Sequence, residues 1–111
     1  MSVLWLDDIR KPWEHGYVGA DWVKTADEAI AILKTGKVQF ASLDHDLDWE
    51  HYPGSGVLEA DYKQATGMAV VKWLQDNPAF WPIRGVRCHS FNDHKRPLMQ
   101  AIVRAHYGRD F

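Results

Sequence analysis

The chain has 111 residues, enough for one compact domain with its own core and too few for two. Its composition, 46% hydrophobic and 25% charged with a formal net charge of −2, is that of a soluble globular protein and lacks the basic footprint of a double-stranded DNA binder. The single cysteine, Cys88, excludes an intramolecular disulfide and a cysteine-built zinc cluster, and no apolar run reaches the roughly 20 residues of a membrane span.

The start of the chain carries no signal-peptide pattern, so the expectation is a cytoplasmic protein forming a single domain over residues 1–111. Six tryptophans point to aromatic packing. Single-stranded or terminal nucleic acid stays open as a partner, because a local basic patch would suffice for it.

"SVLWL" (Ser2 to Leu6) is a short apolar run without helical spacing, which predicts a buried strand ending at Asp7. "DDIRKPWEHG" follows, broken into a loop by Pro12 and Gly16. "ADWVK" predicts a second strand on the edge side. Thr25 and Glu28 then have capping-box spacing, opening a helix with Ile30 and Leu33 on one face and Gly36 at its end. "VQFASL" (Val38 to Leu43) predicts a third strand. Residues 47–66 carry turn residues and no clean period, a long loop of the kind that is usually either a functional lid or disordered.

"GMAVVKWLQDN" predicts a helix with Met68, Val71 and Leu74 as its buried stripe, stopped by Pro78. "RGVRCHS" predicts a fourth strand ending near His89. A last helix follows, with Leu98, Ile102 and Ala105 as the expected inward stripe and Gly108 as its stop. Strands alternating with helices predict an α/β fold: a small parallel sheet of about four strands covered by helices, with a long loop after strand three.

Ligands of such sheets bind outside the carboxyl ends of the strands, where the strand order switches. Strand one ends at Asp7-Asp8, strand three at Asp44 within "SLDHDLD", and strand four at His89. Three polar clusters therefore fall on one edge. If strands one and three are neighbours, about 4.8 Å apart, Asp7 or Asp8 faces Asp44. Like charges so placed raise one pKa or call for a counter-cation, and an oxygen cluster of two or three aspartates suits Mg²⁺ or Mn²⁺. The competing reading is that Asp7 and Asp8 merely end a strand and start a turn.

His89, followed by Ser90 and Asn92, and His45 are competing candidates for acid–base work. Lys95 and Arg96 open the last helix, where a bound phosphate would reverse the unfavourable effect of cations on the helix dipole. Arg10, two residues past the acidic pair, could supply a forked phosphate contact. In the lid, Trp49 and Tyr52 are read as core anchors, with stacking on a base or ribose as the alternative. Ser55 in "GSG" has no base placed near it by spacing and is not read as a nucleophile.

"LWLDDIRKP", "SLDHDL", "TGMAVVKWL" and "CHSFN", in that order, resemble the cyclic-phosphate processing receiver-like domains, which are similar to response-regulator receivers. The resemblance implies a flavodoxin-like sheet with a divalent metal at the acidic lip. On that basis Asp7 and Asp8 match the metal-holding acidic pair, and Asp44 matches the phosphate-accepting aspartate. Asp46 falls where receivers offer a backbone carbonyl to the metal, and His89 or Ser90 replaces the small hydroxyl residue closing strand four. The receiver's fifth strand and its lysine have no counterpart, and the helix between strands one and two is reduced to a loop.

The expected activity is therefore a metal-dependent phosphoesterase acting on a cyclic or terminal phosphate of RNA or a nucleotide. Asp44, His45, His89 and Ser90 are the catalytic candidates, Arg10, Asn92, Lys95 and Arg96 the substrate-binding ones, and Asp7, Asp8, Asp44 and Asp46 the metal-ligand ones. A nucleotide-phosphate binding module is the alternative, and a phosphoreceiver ranks last.

Overall fold

The structure, a computed structural model, describes residues 2–111. Four strands and three α-helices follow in the expected order: β1 (Val3–Leu6), β2 (Asp21–Val23), α1 (Ala26–Leu33), β3 (Phe40–Leu43), α2 (Met68–Asp76), β4 (Val86–Cys88) and α3 (Arg96–Tyr107). The strands form one sheet in the order β2-β1-β3-β4, and every neighbouring pair is parallel. The chain steps from β1 to one side, then jumps back across it to β3. The switch point thus lies between β1 and β3.

Alternation along the strands sets the two faces. Leu4, Leu6, Ala41, Leu43, Val86 and Cys88 pack in the core with Ala26, Ala29 and Leu33 of α1 and with Val70, Val71 and Leu74 of α2. Full burial of a Leu or Val side chain contributes about 1.5–3 kcal/mol, so this layer is the main source of stability. At the start of α1 the Glu28 N–H donates to Thr25 Oγ1 at 3.2 Å, as the capping signature predicts. The β1–β2 connection steps in the opposite sense to the other crossovers. It covers the opposite face, where His15 and Tyr17 pack on the Trp5 ring.

Two helix stripes differ from expectation. In α3 the buried residues are Met99 and Val103, while Leu98 is 53% exposed and Ala105 is also exposed. The apolar pairs Leu98-Met99 and Ile102-Val103 offer two stripes about 100° apart, and contact with α2 and β4 selects the second. In α2, Val70 is buried and Met68 only half-buried, because α1 and α3 both pack against this helix and widen its covered face.

The loop 47–66 has its own polar framework. Glu50 is buried and accepts the N–H groups of Lys63 at 2.8 and 2.9 Å and of Gln64 at 3.3 Å. His51 is buried beside it, its Nδ1 accepting from Leu47 N–H at 2.8 Å and its Nε2 facing Gln64 O at 2.8 Å. Trp49 is 66% exposed, so it is no core anchor. Buried backbone N–H groups in the loop need acceptors, and the residues beside Trp49 supply them. No helix among the described residues is long and apolar enough to cross a membrane.

Candidate active site

Each residue just past a strand end stays tied to the neighbouring strand. Asp7 N–H donates to Val23 O at 3.1 Å, Asp44 N–H to Leu6 O at 2.9 Å, and His89 N–H to Leu43 O at 3.0 Å. The ladder thus runs one residue beyond β1, β3 and β4 and holds all three side chains at one lip. One ligand atom from each of Asp7, Asp44 and His89 lies within 4.8 Å of the others.

Asp7 is fully enclosed and carries four hydrogen bonds. Its Oδ1 accepts the N–H groups of Ile9 and Arg10 at 2.8 and 2.9 Å, and its Oδ2 accepts Arg10 Nη1 at 3.1 Å and His89 Nε2 at 2.9 Å. Burial pushes this carboxyl up, but the His89 bond and the two backbone donors together outweigh it and hold the pKa below the ordinary carboxylate value. As an ionised acceptor, Asp7 requires the proton of that contact to sit on His89 Nε2. Nδ1 of His89 lies 2.7 Å from Ser42 Oγ, and its ring stacks on Trp5 at 4.1 Å. The imidazole is therefore fixed on three sides.

Asp44 has the opposite electrostatics. Burial first, and the Asp7 charge second, raise its pKa above the ordinary value. His45 N–H donates to its Oδ1 at 2.8 Å, and Arg10 Nη1 stands 3.7 Å from its Oδ2. Gly67 closes the site from behind: its N–H donates to His45 O at 2.9 Å, and a Cβ there would lie 1.8 Å from Asp44 O. That contact explains why α2 begins with "TG" at this point.

Asp8 turns away from the lip, its carboxylate accepting the Tyr52 hydroxyl at 3.1 Å, so it is not one of the converging groups. Adjacent residues at a strand end point to opposite sides, and Asp7 takes the inward one. Burial raises the Asp8 carboxyl, and burial with the Asp8 charge raises the Tyr52 phenol. Tyr52 thus ties the lid to the lip, a role the sequence pattern did not mark.

Asp46 is buried and holds His45 Nδ1 at 2.7 Å, while Asn92 Nδ2 donates to the same oxygen at 3.2 Å. Ser90 is buried, and its Oγ accepts from Asn92 N–H at 3.0 Å. A small cleft of about 170 Å³ opens over this group, lined by Arg10, Asp44, Asp46, Tyr52, Ser90 and Asn92, with Pro53 and Phe91 at its rim. His45 does not line it.

The start of α3 differs from the expected phosphate cradle. Asn92 Oδ1 already accepts the N–H groups of His94 at 3.2 Å and Lys95 at 3.0 Å. Lys95 Nζ pairs with Glu59 of the lid at 3.0 Å, and Arg96 Nη1 donates to Ser90 O at 2.9 Å. These side chains brace the lid and the β4 loop. Arg10 is the cation that reaches the carboxylates. Cys88 is buried and its thiol is pushed up to about 12, which rules out a thiolate nucleophile at neutral pH.

A divalent ion fits this donor set. Two carboxylates of like charge face each other, the Asp7 charge adds to burial in raising the Asp44 pKa, and Arg10 offsets only part of that repulsion. Asp7 and Asp44 would hold Mg²⁺ or Mn²⁺ through oxygen.

A parallel four-strand sheet with three helices and acidic groups at its switch point defines a flavodoxin-like, receiver-type domain. The family model of the cyclic-phosphate processing Receiver domain matches residues 2–105, so the chain belongs to that family. Searches of the curated proteins and of the solved structures return no match.

Proposed function

We propose that the chain is a phosphoesterase that opens or removes a cyclic or terminal phosphate on a nucleotide or RNA end. The observation that carries this reading is the convergence of Asp7, Asp44 and His89 beside Arg10 at one strand edge. Family membership supports the cyclic-phosphate class of substrate.

In this reading the phosphate enters the small cleft, and the Arg10 guanidinium binds its oxygens in forked geometry. Ser90 and Asn92 at the cleft wall orient it. A divalent ion held by Asp7 and Asp44 would activate water and neutralise phosphoryl charge. Asp44, made more basic by burial, takes a proton from the attacking water as the new phosphorus–oxygen bond forms. The ester bond to the leaving oxygen breaks, and that oxygen takes the Nε2 proton of His89 acting as an imidazolium, which becomes the neutral imidazole with Nδ1–H still donating to Ser42 Oγ. Ser42 and Trp5 hold the His89 ring for this transfer. Of the two histidines, His89 takes this role because it converges with Asp7 and Asp44 at the lip, whereas His45 Nδ1 is turned to Asp46.

Hydrolysis of a nucleoside 2′,3′-cyclic phosphate by His89→Gln and His45→Gln proteins tests this assignment. His89→Gln is expected to lose about 10²–10⁴-fold in rate, the usual contribution of a placed acid, with a smaller loss in His45→Gln. Equal activity of wild type and His89→Gln would remove His89 from the chemistry.

A further inference from the structure

A second cavity, of about 580 Å³, opens beside the first on the sheet face that the helices leave bare. The register places Trp5, Ser42 and Arg87 in one row across that face. The β1–β2 connection reaches over β1 with His15 and Tyr17, but it leaves Arg87 on the edge strand β4 exposed. A hollow remains between that connection and α3. Its volume lies within the range of about 300–1,000 Å³ typical of small-ligand pockets.

Arg10 and Phe91 line both cavities, so the large one continues from the phosphate cleft. Phe91 is 77% exposed, with the Arg10 guanidinium 4.2 Å from its ring centroid, which leaves most of the ring open to a stacking partner. Among the described residues, the Arg87 guanidinium and the half-buried Gln100 amide have no side-chain hydrogen-bond partner. An amide offers a donor and an acceptor together, as the edge of a base requires. Three arginines (Arg10, Arg87 and Arg96) line the hollow, while its one acidic side chain, Asp110, is paired with Arg104. Cationic walls with an open aromatic ring suit an anionic ligand that carries a flat ring.

We propose that this cavity seats the nucleoside of a substrate whose phosphate lies at Arg10. The inference rests on the phosphoesterase reading and adds to it where the base is seated and that its contacts are needed for tight binding. Base-free cyclic phosphates would reach the cleft but lose the stacking and the polar contacts of the second cavity.

The test is calorimetric binding to Asp44→Asn protein, with and without the added change Arg87→Ala or Phe91→Ala, together with turnover by the wild type. The probes are adenosine and uridine 2′,3′-cyclic phosphates and base-free glycerol 1,2-cyclic phosphate. The expected result is at least about tenfold tighter binding of a cyclic nucleotide than of the glycerol ester. Each added change should weaken the nucleotide by a larger factor than the glycerol ester. Equal affinity of the two classes, with turnover of both, would overturn the nucleoside pocket and leave the phosphoesterase standing. Absence of binding and turnover for every probe would overturn the phosphoesterase reading and the pocket with it.

Discussion

His89 Nε2 stands 2.9 Å from Asp7 Oδ2, while Asp44, on the neighbouring strand, has among the described residues no charged side-chain partner nearer than Arg10 at 3.7 Å. Two aspartates at one lip are thus held in opposite electrostatic states. The Asp7 carboxyl lies below its ordinary range, so it contributes stability above that range, and the contribution is lost as pH falls through the lowered value. Asp44 lies above its range; its contribution is complete in acid and is lost as pH rises through the raised value.

The two isosteric substitutions should therefore part company. In EDTA at neutral pH, Asp44→Asn is expected to melt no lower than the wild type, because it removes a repelled buried charge and keeps Oδ1 for His45. Asp7→Asn is expected to cost about 1.5–3 kcal/mol through its charged hydrogen bonds, a fall of several degrees. Calorimetry at pH 7 checks both. A large drop for Asp44→Asn would contradict this account of the lip.

Arg10 sits where a cation at Asp7 and Asp44 would compete with it. Arg10→Gln should then bind Mn²⁺ more tightly, by about tenfold for each 1.4 kcal/mol of competition removed, while its affinity for phosphate falls. Electron paramagnetic resonance titration of Mn²⁺ measures the first effect. Weaker Mn²⁺ binding in Arg10→Gln would show that the arginine supports the metal instead of opposing it.

Gly67 touches Asp44 through the backbone alone. A methyl group placed 1.8 Å from the Asp44 carbonyl oxygen forces α2 and β3 apart. Gly67→Ala is expected to lose about 1–3 kcal/mol, as overpacked positions do, together with most of the activity. Urea unfolding beside a rate assay reads the two losses. Wild-type stability in this variant would contradict the close approach.

The lid depends on Glu50 and His51. Glu50→Ala would strand the N–H groups of Lys63 and Gln64, at about 1–3 kcal/mol, and should speed amide exchange across residues 47–66 before the sheet is affected. Hydrogen exchange followed by mass spectrometry separates the two regions. Uniform loss of protection would mean that the loop is part of the core's cooperative unit.

How much of this was legible in the residues follows from the range of each interaction. Strand ends at Asp7 and Asp44 could be read because apolar runs stop there, and a parallel sheet brings such ends together with the end of β4 at His89. The α3 stripe could not, since Leu98-Met99 and Ile102-Val103 are equally apolar and only contact with α2 and β4 chooses between them. The burial of Glu50 was hidden for a related reason: its partners lie 13 and 14 residues away, and an acidic residue in a polar loop carries no local mark of burial. Asp8 and Lys95 had the right chemistry for the site. Tyr52 and Glu59 of the lid engage them instead.

The most direct test of the central claim is ³¹P NMR of 2′,3′-cyclic, 3′,5′-cyclic and 3′-terminal nucleotide phosphates incubated with the protein. Samples would contain Mn²⁺ at catalytic levels or EDTA, with Asp44→Asn protein alongside. The account predicts conversion of one phosphate class to a new resonance, only with metal and only with Asp44 present. Signals that shift or broaden reversibly, with every phosphate recovered intact, would contradict it and identify a binding module.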